Sequence, residues 1–164
     1  MVSVQGTRRA RLFVATVCVA LLSVGCSGLK AKHGSVAVSA SSNAIVASVN
    51  AARAQHGLPA LSPHGQLDAL AGSWSAHMAA TGTFTHSNLE ATLYRPDFQA
   101  FQRLGENILR SECSRAAPEM VDAWLQSPSH RANVLSPMFG VVGVGVVCAP
   151  DGWAWVTMNF GSLG

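Results

Sequence analysis

VGVGVVCAPDGWAWVTMNF, Val142 to Phe160, alternates with a period of two on both sides of a turn. Val142, Val144 and Val146 share one face of an extended segment, while Gly143, Gly145 and Val147 share the other. Pro150, Asp151 and Gly152 make a tight turn, so Trp153 to Phe160 returns as a second, antiparallel strand. Two glycines on one strand face mean that another element approaches closely there or that a groove opens. Another strand is expected after Gly105, which gives a small antiparallel sheet.

Upstream of this sheet the period changes. Pro118 stands near the start of a helix carrying Met120, Val121, Trp124 and Leu125, and Pro128 marks its break. Asn43 or Ser42 can cap an earlier helix whose apolar stripe is Ile45, Val46, Val49 and Ala52, with Gly57 supplying the left-handed turn after it. Pro63 after Ser62 is expected to open another helix, with Leu67, Leu70, Ala71, Trp74 and Met78 on one face and Gly82 at its end. Ser87 to Gln102 contains Pro96 and no sustained period, and reads as a surface loop. The expected fold class is α+β, one domain of about 120 residues around one core.

The first residues read as an address. Arg8, Arg9 and Arg11 precede the apolar run Leu12 to Leu22, and Ser23, Val24 and Gly25 lead to Cys26. A basic region, a short apolar run and small residues before a Cys describe a lipoprotein signal peptide over 1–25, cleaved ahead of Cys26. The alternative is an ordinary secretory signal with Cys26 incidental. The run is too short to span a bilayer comfortably. Acylation at Cys26 would supply the two or more chains that stable anchoring requires, so membrane lipid is one expected partner, on the outer face of a bacterial membrane. Residues 26–42, rich in Ser, Ala, Gly and Lys, read as a flexible tether, and 43–164 as the domain.

The formal net charge of +3 matches the three signal-region arginines, because the remaining eight Lys and Arg balance eight Asp and Glu. A near-neutral domain without a basic patch excludes nucleic acid as an expected partner. Of the four cysteines, Cys18 leaves with the signal and Cys26 is acylated. Cys113 and Cys148 remain as a pair that export would oxidise, tying neighbouring strands; the alternative is two free buried thiols.

Three ionisable side chains come from short polar segments set among core patterns: His86 in FTHS, Glu106 in GEN and His130 in SPSHRANVL. Two imidazoles and a carboxylate can hold a divalent cation or share protons. Each histidine alone reads more readily as a helix-end or core-edge residue than as a ligand, and no HExxH spacing is present. Glu106 is harder to set aside, because an acid entering an apolar strand must be paired or hydrogen-bonded. His77 reads as an interface histidine; His33, His56 and His64 read as solvated. Ser87 is not favoured as a nucleophile, since adjacent side chains on an extended segment point to opposite faces.

HGLPALSP from His56, the helix with Trp74 and Met78, FTHS, GENI, AWLQSPSHRANVL, VGVGVVC and WVTMNFG occur in the order found in the CAP superfamily. That superfamily comprises cysteine-rich secretory proteins, antigen 5 and plant pathogenesis-related 1 proteins, and the chain resembles its compact bacterial branch from about Asn43 to Gly161. The resemblance implies a three-layer α-β-α sandwich and one cleft holding His86, Glu106 and His130, with Asn107 and Arg131 as outlying groups. Many eukaryotic members have a second Glu three residues after the helix tryptophan; that position here is Ser127, and Glu119 is the other acid within reach in sequence. Weak Zn²⁺ binding by His86, Glu106 and His130 is expected, with no catalytic residue assigned. The function expected is non-enzymatic binding of a lipid or sterol-like ligand in a groove between helices. The alternative is a metal-dependent hydrolase of envelope peptides or esters. Oligomeric state is not legible.

Overall fold

The structure, a computed structural model, describes residues 41–164. The export segment 1–25, Cys26 and nearly all of the 26–42 tether lie outside the described residues. From Ser41 on, the elements are α1 (Ser42–Gln55), β1 (Ser62–Pro63), α2 (Gly65–Thr81), α3 (Leu89–Leu93), a 3₁₀ turn (Pro96–Phe98), β2 (Phe101–Glu112), α4 (Ala117–Gln126), α5 (Pro128–Val134), β3 (Val141–Cys148) and β4 (Trp153–Leu163).

β4 is central. It pairs antiparallel with β3 on one side and β2 on the other, and the sheet order is β1-β3-β4-β2. The turn between β3 and β4 closes with Gly152 at φ 85°, and its N–H donates to the Ala149 carbonyl at 3.0 Å. β1 adds a two-residue parallel edge, Ser62 to Val141 and Pro63 to Val142, that the sequence pattern did not disclose. Pro63 therefore belongs to the sheet edge, and α2 opens two residues later. Beyond β1 the β3 edge is satisfied by α2 side chains: Asp68 Oδ1 accepts from Val144 N–H at 2.9 Å, and Ser75 Oγ donates to the Gly145 carbonyl at 3.1 Å. An edge so occupied offers little for another chain to pair with.

The period of two sorts the layers. Val142, Val144, Val156, Met158 and Phe160 meet Ile45 and Val49 of α1 and Met120, Val121 and Trp124 of α4 in the principal core. On the opposite face lies α2, which buries Leu67, Ala71, Ser75 and Met78. A Cβ at Gly143 would fall on the backbone of Leu67 and Asp68, and one at Gly145 on that of Ala71 and Gly72. The glycines thus seat a helix directly on the strand, and no ligand groove opens there.

Three local expectations change. The stretch from Ser87 to Gln102 is partly core, because Phe98 (2% exposed) packs with Leu67 and Phe101. Pro96 fixes the 3₁₀ turn that delivers it. His77 is exposed and stacks on Trp74 with ring centroids 4.8 Å apart. His64 is only partly exposed, and its ring meets Phe101 edge-on at 5.1 Å.

Cys113 and Cys148 form a disulfide with Cα atoms 5.7 Å apart. They do not join neighbouring strands, because β4 runs between β2 and β3. The chain past Glu112 instead crosses toward the hairpin turn, where Cys113 N–H donates to the Gly152 carbonyl at 2.9 Å.

Candidate functional site

Gly82, in the left-handed conformation at φ 68°, ends α2 and turns the chain into the FTHS segment. Trp74 of α2 pins that segment, its Nε1–H donating to the Thr85 carbonyl at 2.9 Å. His86 and Ser87 are thereby laid along β2. Glu106 is an interior residue of β2 with its side chain 2% exposed. Its carboxylate is met three times: His86 Nδ1–H at 2.8 Å and Ser87 N–H at 2.9 Å reach Oε1, and Ser87 Oγ–H at 2.6 Å reaches Oε2. Donors of this kind make a buried acid tolerable. They also fix the His86 tautomer, leaving Nε2 as the ring nitrogen available to a ligand.

The first turn of α5 supplies His130. Pro128 occupies its first helical position, and Ser127 is the residue that precedes the helix. Asn107 Nδ2 donates to the His130 carbonyl at 3.0 Å. Asn133, three residues along the same helix face, donates to Asn107 Oδ1 at 2.9 Å and to the Glu106 carbonyl at 3.1 Å. His130 and His86 come together with ring centroids 6.2 Å apart. Burial first, and the neighbouring His86 second, lower the His130 pKa below its usual range. A neutral imidazole is the form that accepts a proton or ligates a metal.

His86, Glu106, Asn107 and His130 are thus gathered along one edge of the sheet. Arg131 is not: its guanidinium lies 3.1 Å from His56 Nε2, at the end of α1. Glu119 is also elsewhere, 65% exposed and 3.8 Å from Arg115. Ser87 does reach Glu106, which corrects the opposite-face expectation; residues 82–88 are not a regular strand and period two does not apply to them. Asn133 and Trp74 were not singled out as site residues. The spacing of Asn133 from His130 on a short helix is the signal that could have found the first; nothing local marks the second. Among the described residues, no group of three or more His, Cys, Asp or Glu is arranged to hold one metal ion.

The domain is thus an α-β-α sandwich with one disulfide and a His-Glu-His edge supported by amides. The model of the cysteine-rich secretory protein family, CAP, matches residues 46–160. The chain belongs to this family. YkwD of Bacillus subtilis (strain 168) is 31% identical over 123 residues, which are 71% of this chain and 46% of that protein. The chain thus spans about half the length of that relative. An extracellular protein of Bacillus anthracis str. Ames with an SCP domain superposes with TM-score 0.61 at 31% identity, over 73% of this chain and 39% of that one. An outer surface protein of Borrelia burgdorferi gives TM-score 0.63 at 19% identity, over 73% and 90%, and shows the shared fold. The family is a secretory one, and its proteins are generally extracellular. No helix among the described residues is long and apolar enough to cross a membrane.

Proposed function

We propose that the chain is an exported binding module, anchored through acylated Cys26, that holds a hydrophobic ligand without turning it over. The observation that carries this reading is a groove of about 210 Å³ between α1 and α4. Ala51, Ala52, Pro118, Val121 and Leu125 line it together with the polar Ser48, Gln55 and Asp122. An open groove of mostly apolar side chains with a few polar groups suits a chain with a polar head. Its volume is below the roughly 300–1,000 Å³ of sites that enclose drug-sized ligands. This favours a single acyl chain over the fused rings of a sterol.

The cleft takes a separate role. His86 Nε2 and His130 are the groups that would hold Zn²⁺ or a similar ion, with Glu106 orienting His86 through Nδ1, an arrangement familiar at metal-bound histidines. The ion would supply a Lewis acid with open positions. Glu106 is engaged by three donors, and Ser127 replaces an acid, so a base for hydrolysis is not furnished by these residues. The neutral His130 is the one feature that favours the hydrolase alternative.

Purified full chain should bind labelled palmitate saturably, more tightly than labelled cholesterol, and Ala51→Trp, at an exposed position of the groove, should abolish binding. Native mass spectrometry with and without chelator reads metal and co-purified lipid together. Ester or peptide turnover with added zinc, lost in both Glu106→Gln and His130→Ala, would replace this reading with the hydrolase. Membrane retention of Cys26→Ala would remove the anchor from it.

A further inference from the structure

At the hairpin end of the sheet and beside the first turn of α4, an open cavity of about 440 Å³ is lined by Arg110, Glu112, Ser114, Arg115, Glu119 and Trp153, none of which lines the α1/α4 groove. It lies within the usual size range of small-molecule sites. Two guanidinium groups, two carboxylates and two hydroxyls, those of Ser111 and Ser114, surround an indole that is 37% exposed. Opposite charges present in equal number give no net attraction for an anion. They do offer donors and acceptors side by side.

The walls are held in place. Arg110 is stacked over two indoles, 4.3 Å from the Trp153 centroid and 5.0 Å from that of Trp155. Cation–π contact of this kind fixes a long side chain while leaving the N–H donors at the guanidinium edge. Ser114 Oγ–H donates to Glu112 Oε2 at 3.4 Å, Arg115 N–H to the Glu112 carbonyl at 3.0 Å, and Trp153 N–H to Asp151 Oδ1 at 3.1 Å. The rim from Arg110 to Arg115 contains Cys113, so the disulfide to Cys148 fastens it to the far strand. A site fastened before binding loses less entropy when it is filled.

The aromatic groups continue beyond the cavity. Phe84 is half exposed, and its ring centroid lies 6.4 Å from that of Trp155; two residues later comes His86. Glu106, Ile108 and Arg110 share one face of β2, at about 7 Å per alternate residue. Trp153 and Phe84 are the exposed aromatic groups of this row, and Trp155, 4% exposed, is buried in contact with Arg110 and Phe84.

We propose that this cavity is a glycan-binding site, with a pyranose ring seated on the face of Trp153 that Arg110 does not cover and further sugar units following toward the exposed Phe84. A pyranose has a C–H face that lies flat on an indole and a rim of hydroxyls, each both donor and acceptor. Such a rim matches a tryptophan bordered by arginine, glutamate and serine. A phosphate-rich polymer would meet Glu112 and Glu119, and an acyl chain would leave the charged wall unpaired.

The test is calorimetric titration of the purified full chain with two probes, the β-1,4-linked tetramers of glucose and of N-acetylglucosamine, alongside a proline-rich dodecapeptide and a twelve-nucleotide single-stranded DNA. Saturable binding of at least one tetramer is expected, with quenched tryptophan fluorescence. Affinity should fall at least tenfold in Trp153→Ala and in Glu119→Arg; the second is an exposed substitution that fills the cavity without touching the core. Arg110→Lys should give an intermediate loss. No saturation by either tetramer up to millimolar concentration would overturn the proposal. So would retained affinity in Glu119→Arg, or tighter binding of the peptide or DNA than of both sugars. Palmitate binding should be unchanged in Glu119→Arg, which separates this site from the α1/α4 groove.

Discussion

The two faces of one sheet are built by opposite means. Toward α1 and α4, β3 and β4 present Val142, Val144, Val156, Met158 and Phe160, all buried against apolar side chains. Toward α2, the same strands present Gly143, Gly145, Thr157 and Asn159, and β2 adds Glu106. The first face holds together by volume and area. The second holds a helix so close that its backbone touches the strand, and it manages polar groups one by one: Ser75 Oγ–H donates to Thr157 Oγ1 at 2.9 Å, while the amide of Asn159, fully buried, has no protein partner. The candidate cleft borders the second face. A polar site is placed where the sheet already carries polar groups, and the apolar face is left to supply the stability that those groups do not.

The comparison is most easily broken at the glycines. Gly145→Val should abolish the cooperative unfolding transition, losing more than the ~1–3 kcal/mol usual for overpacking, because the obstacle is the backbone of Ala71 and Gly72. Urea titration followed by circular dichroism reads this, and a folded variant within about 1 kcal/mol of the parent would show that α2 can move away. On the other face, Met158→Ala should remain folded with a loss of about 3 kcal/mol, the ordinary result of a core cavity.

Smaller effects sharpen the contrast at the cleft. Ser87→Ala removes one of three donors to a buried carboxylate and should destabilise by about 1 to 2 kcal/mol, read as a shift in the urea midpoint. His130 has its folded pKa lowered from 6.5. Below 6.5 the unfolded chain therefore binds the proton more readily, so the contribution of this residue is present above that pH and is lost as pH falls through the folded pKa. The melting temperature of the parent should accordingly drop more between pH 7 and pH 5 than that of His130→Gln. Equal pH dependence in the two would show that the lowered pKa does not bear on stability. The smallest effect is expected at Asn159→Leu. Replacing a buried amide that lacks a protein partner by an apolar group of similar size should change stability by less than about 1 kcal/mol, beside the large loss at its neighbour Met158. A loss as large as that of Met158→Ala would show that the amide is satisfied in solution.

Much of this molecule is legible as sequence because its signals are local. Val142 to Phe160 fixes a hairpin through strand alternation and Pro150-Asp151-Gly152, and Pro118, Pro128 and Gly82 mark helix boundaries through backbone constraints that act within a few residues. The motifs around His86, Glu106 and His130 point to one family and hence to one cleft. What only tertiary structure decided involves partners far apart in the chain. Gly143 and Gly145 are consistent with a groove or with a helix until α2 is seen lying on them. Period two sets Ser87 opposite His86, yet in the segment that Trp74 holds through Thr85 both side chains meet Glu106. Arg131 shares a motif with His130 yet turns to His56, and Glu119 turns to Arg115. Side-chain periodicity specifies which face a residue occupies, but what lies against that face is set by packing among distant elements, and no local rule carries that information.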